Sequence, residues 1–144
     1  MTSPVLCAVD IGHTSQERAV LARAAQLAEL DGAQLDLVTV VPDFGASIVS
    51  DYFKDGHMDA MREDARKRLN DFAAEVLGEE QNASIRHIIS TGTAYEEILK
   101  AAKAAGSGLI VMGAHKPGFT DYLLGPNAAR VSRHADASVY IVRT

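Results

Sequence analysis

An α/β fold is predicted for this sequence: an open, parallel, five-stranded sheet with helices on both faces. Five short apolar runs alternate with four helical patterns, which is how right-handed β-α-β crossovers read in a sequence. Several runs, Leu109-Ile-Val-Met112 most clearly, are apolar at every position, as strands are when both faces of their sheet are covered.

The strands are predicted at Val5 to Val9, Leu35 to Val41, Ile85 to Ile89, Leu109 to Met112 and Val139 to Val142, most of them rich in β-branched residues. A first helix opens at Thr14-Ser-Gln-Glu17, a capping-box spacing, buries Val20, Ala24, Leu27 and Ala28, and closes at Asp31-Gly32. The second carries Met61, Ala65, Leu69, Phe72, Ala73 and Val76 on one stripe, with Gly78 past its end and Arg62, Glu63, Arg66 and Lys67 on a solvated face. The third repeats the opening device at Thr93-Ala-Tyr-Glu96, buries Ala94, Ile98, Leu99, Ala102 and Ala105, and stops at Gly106-Ser-Gly108. The fourth runs from Gly125-Pro126 to near His134. Pro42 to about His57 is longer than most connections in compact domains, which predicts a mobile lid. No repeat or linker-like composition interrupts the chain, so residues 1–144 are expected to form one domain.

The composition, 47% apolar and 23% charged, is that of a globular chain, and no apolar run reaches the ~20 residues of a membrane span. The first ten residues carry no basic flank and no signal-peptide core, so a cytoplasmic address is expected. A net charge of −5 without a Lys/Arg cluster argues against nucleic acid as a partner. Cys7 has no Cys or His neighbour at metal-ligand spacing and reads as a small core residue.

In such a sheet, ligands sit beyond the carboxyl ends of the strands where strand order reverses. Asp10 ends the first strand, where its carboxylate either accepts from a ribose hydroxyl or an adenine amino group or accepts N–H bonds from the following turn. Ala8, Val40, Val41 and Met112 end neighbouring strands; the two valines are either an apolar wall for a base or plain core. After the fourth strand, Gly113 and Gly118 bracket His115 and Lys116, the latter a compact cation suited to phosphate. Gly125-Pro126-Asn127 then starts a helix, whose free amides and dipole attract anions; Pro126 supplies no N–H there. The alternative is a glycine-bearing crossover with no ligand.

Phe119-Thr120 follows Gly118 where a P-loop needs Lys-Ser/Thr, and Asp10-Ile-Gly-His-Thr14 lacks the dinucleotide G-x-G-x-x-G. The chain also lacks G-x-S-x-G, H-E-x-x-H, H-x-G-H and S-G-G-x-D-S, which argues against the hydrolase, metalloprotease, nucleotidyl-transferase and ATP-pyrophosphatase classes.

Val9-Asp10, Leu109-Ile-Val-Met-Gly113, Tyr122-Leu-Leu-Gly-Pro-Asn-Ala-Ala-Arg-Val-Ser-Arg-His-Ala135 and Ser138-Val-Tyr-Ile-Val-Arg143 together resemble the universal stress proteins. The similarity spans essentially the whole chain and is nearest to the nucleotide-binding branch, whose loop reads Gly-Ser-His-Arg-Pro before Leu-Leu-Gly-Ser-Asn. It implies a Rossmann-like sheet in the order 3-2-1-4-5, a stress-response role and a homodimer. It also implies ATP, ADP or AMP, with Mg2+ accompanying the phosphates, held by Asp10, backbone near Val40, Gly113 to Lys116 and Gly125 to Asn127. The chain departs from the family motif G-x2-G-x9-G-[S/T]: Lys116 replaces the second glycine, the interval to Gly125 is one residue short, and Pro126 replaces the hydroxyl residue. The expected function is binding, with at most slow ATPase activity; the alternative is a dimeric interaction module whose nucleotide site is not functional. The dimer is expected at the last strand, Val139, Tyr140, Ile141 and Val142, an edge with exposed pairing groups.

Overall fold

The computed structural model describes residues 2–42, 55–114 and 124–143. Its five strands, β1 (Val5–Ala8), β2 (Leu35–Pro42), β3 (Arg86–Gly92), β4 (Leu109–Ala114) and β5 (Ser138–Arg143), form one sheet in the order β3-β2-β1-β4-β5. Every adjacent pair is parallel. The helices are α1 (Thr14–Asp31), α2 (Asp55–Leu77), a single turn α3 (Glu79–Asn82), α4 (Ala94–Ala105) and α5 (Leu124–His134). The expected α/β fold and strand order are therefore present.

The central strand β1 is buried at all four residues, and its alternate side chains feed two apolar layers. Val5, Cys7 and Val9 pack with α1 and α2 residues including Val20, Leu21, Leu69 and Phe72. Leu6 and Ala8 pack on the other face with Ile98 and Ala102 of α4 and Val131 of α5. Cys7 is fully buried and unpaired by any disulfide, and burial pushes its thiol well above the usual range.

Local chemistry differs from expectation at three places. Helix α1 is capped by His13 without a side-chain bond, and Thr93, although it is the N-cap of α4, makes no side-chain cap bond either. Neither serves as a capping box. Strand β3 begins at Arg86 and continues to Gly92, beyond the predicted Ile89, because the ladder with β2 extends through Val41↔Thr91 and Pro42↔Gly92. Helix α3 was not anticipated: Gly78, at φ +89°, breaks α2, and Glu79-Glu-Gln-Asn82 forms one further turn. The predicted lid falls almost wholly on residues 43–54, outside the described residues.

Strand β5 does lie at a sheet edge. Tyr140 is exposed there, while Val139 and Ile141 pack partly against one core layer and Val142 against the other.

Candidate functional site

The connections from β1 to β2 and from β1's other neighbour β4 run to opposite sides of the sheet, so β1 and β4 flank the point where strand order reverses. The helices diverge there and leave a crevice above the strand ends. A cleft of about 910 Å³ occupies that position, floored by Ala8, Val38, Val40 and Met112 and walled by α2, the start of α4 and the first turns of α5. Its lining is mostly apolar, and the volume falls in the range of small-molecule sites.

Asp10 stands at the rim with both carboxylate oxygens engaged locally. Oδ1 accepts from the Gly12 N–H at 2.8 Å, and Oδ2 lies 2.9 Å from Nδ1 of His13. An ionised carboxylate only accepts, so Nδ1 carries the proton in that contact. The two bonds fold the chain into a 3-10 turn, Ile11–His13, that leads into α1. Two bonds use about half of a carboxylate's lone-pair sites, so Asp10 keeps acceptor capacity toward the cleft.

Beneath it lies a residue the sequence reading placed in a cap. Glu17 is fully buried, and its Oε1 accepts from the Asp10 N–H at 3.3 Å. Its carboxyl group is raised to about 7, first by burial and further by the Asp10 charge, against lowering by the Asp10 N–H bond and by His13. The spacing from Asp10 to Glu17 carries no motif, because the contact depends on the intervening turn folding back.

Of the other predicted site residues, Ala8, Val40, Val41, Met112, Pro126 and Asn127 line the cleft with Asp10. Successive strand side chains point to opposite faces, so Val41 is packed in the α1/α2 layer while Val40 is partly open on the other. Gly113 is buried at the end of β4, paired with Val142, and is not among the described lining residues, while Gly125 lies in the first turn of α5. His115, Lys116 and Gly118 lie outside the described residues. The sequence reading missed the α2 wall, Met61, Asp64 and Arg68, having placed Met61 in the core stripe. Arg68 Nη2 donates to the Ile11 carbonyl at 3.1 Å and ties α2 to the β1 turn. It also missed Arg130, whose signal was spacing: three residues after Asn127 puts both on one face of α5. Among the described residues no three His, Cys, Asp or Glu side chains are grouped to hold a metal ion, and no helix is long and apolar enough to cross a membrane.

The model of the universal stress protein family matches residues 1–143. The chain belongs to that family. Universal stress protein G of Shigella flexneri is 24% identical over 145 residues, covering 99% of this chain and all of the relative. Among solved structures, the universal stress protein UspA from Lactobacillus plantarum superposes with a TM-score of 0.72 at 24% identity, covering 98% of this chain and 97% of that one. A universal stress protein family member from Burkholderia pseudomallei gives 0.67 at 26% identity, over 97% of this chain and 95% of its own. A universal stress protein solved in complex with cAMP gives 0.59 at 23% identity, over 97% and 96%. Within the universal stress proteins, then, this chain shares the five-stranded frame, and the cleft is where the frame's strand order reverses.

Proposed function

We propose that this stress protein binds an adenine nucleotide, ATP, ADP or AMP, in the cleft at the carboxyl ends of β1, β2 and β4, and signals as a cytoplasmic homodimer formed through β5. The observation that carries the reading is the cleft itself. An apolar floor including Val40 and Met112 suits a flat base, Asp10 retains acceptor sites for a hydroxyl or amino group, and the first turn of α5 with Asn127 opens toward the same space. A family member carrying cAMP supports the same ligand class. Mg2+ would arrive on the phosphates with its own waters, since the described residues offer no ligand cluster for it. The reading is one of binding, with turnover at most slow.

Titration calorimetry with ATP, AMP and adenosine, joined to mass spectrometry of any ligand released from freshly purified protein, tests it. Saturable binding that Asp10→Ala weakens about tenfold is the expected result, the loss of one charge-assisted hydrogen bond. No heat with any of the three and no released nucleotide would instead favour the interaction-module reading. Pro126 in the cleft wall, without an N–H to offer a phosphate, is the observation on that side.

A further inference from the structure

We infer that Arg130 is a phosphate-binding residue of this cleft and that Tyr95 positions it, an inference that rests on the nucleotide reading above. Arg130 lies on α5 three residues beyond Asn127 and four beyond Pro126, and all three line the cleft. Its guanidinium sits over the ring of Tyr95, 5.0 Å from the centroid, bridging the first turn of α4 to α5. The phenol hydroxyl donates to Glu96 at 3.2 Å, so the platform is itself tethered. Among the described residues the Arg130 side chain forms no ion pair and no hydrogen bond, in contrast to that of Arg68 across the cleft, which is committed to the Ile11 carbonyl.

An arginine held by a ring face has lost part of its rotamer freedom before any ligand arrives, so an anion that meets it recovers more of the interaction. Its planar fork of N–H donors matches a phosphate in bidentate fashion. In a chain of net charge −5, a cation that lines a mostly apolar cleft, with no carboxylate partner among the described residues, draws in a phosphate. Arg130 thereby offsets the donor that Pro126 lacks, and it makes the cleft prefer phosphorylated ligands over the bare nucleoside.

The test is calorimetry of wild type, Arg130→Gln, Arg130→Lys, Tyr95→Leu and Tyr95→Phe against ATP, AMP and adenosine, with circular dichroism to confirm that each variant is folded. Arg130→Gln is expected to weaken ATP at least about tenfold while changing adenosine less than about twofold, with a shallower salt dependence for ATP. Arg130→Lys falls between, because charge remains without the fork. Tyr95→Leu weakens ATP by a smaller factor and Tyr95→Phe restores it, which a merely structural role for the hydroxyl would not do. Equal losses for ATP and adenosine, or no loss in Arg130→Gln while wild type binds ATP, would overturn this inference and leave the nucleotide reading standing. Wild type that binds none of the three ligands sinks both.

Discussion

Two buried carboxylates show what single residues contribute. Glu17 keeps its proton in the folded chain to about 7, against 4.5 when exposed. Between those values the folded state binds the extra proton, so this contribution to stability is complete below pH 4.5 and lost as pH rises through 7. A shift of that size corresponds to about 3 kcal/mol. Glu17→Gln, a neutral isostere that still accepts from the Asp10 N–H, is expected to match wild type near pH 4.5 and exceed it by up to about 3 kcal/mol at pH 8. Urea denaturation at both pH values checks it, and parallel curves for the two proteins would refute it. Asp36 is fully buried and gripped by Arg86 at 2.8 and 2.7 Å across β2 and β3. Because the arginine side chain is 57% exposed, water partly replaces it when removed. Arg86→Leu should therefore cost about 2 kcal/mol, below the ~3–5 kcal/mol of breaking a fully buried ion pair, readable as a lowered thermal midpoint. Neither residue announced its partner in the sequence: Asp36 and Arg86 are fifty positions apart and meet only through strand register.

At the scale of elements, helix ends were legible where glycine decides them and misread where side chains do. Gly32 and Gly106 both take left-handed conformations, φ +62° and +68°, and their N–H groups return to carbonyls of the last turn. That geometry is local and costs any other residue energy, so a glycine after an apolar stripe is a dependable stop. Gly106→Ala is expected to destabilise by about 1 kcal/mol in chemical denaturation, with no change in ligand binding. The two threonine-to-glutamate spacings were misleading because a capping box competes with tertiary partners. Glu17 turned inward to the β1 turn, while Thr93 caps with its backbone alone. The cleft's strand residues were readable for the same local reason as the glycines: they follow directly from where β1, β2 and β4 end. Met61, Asp64 and Arg68 were not, since only the packing of α2 against the sheet brings them over those ends.

For the molecule as a whole, two apolar layers on one sheet bear the stability. Leu69 of α2 is fully buried in the layer beneath the cleft's α2 wall, and Leu69→Ala should cost about 3 kcal/mol through lost burial and the cavity left behind. If β5 is the dimer contact, Tyr140→Lys, at an exposed position that the fold does not need, converts a two-fold dimer to a monomer in sedimentation velocity. A wild-type protein already monomeric at micromolar concentration would refute the dimer. The amino-acid sequence alone determined the α/β class, the five strands, the four main helices and the family, because periodicity, glycine stops and local motifs act between residues a few positions apart. Only the tertiary structure decided that Glu17 lies under Asp10, that Arg68 and Arg130 face one cleft, and that Asp36 finds Arg86. Those contacts depend on how separate elements register across the sheet, which no local spacing encodes.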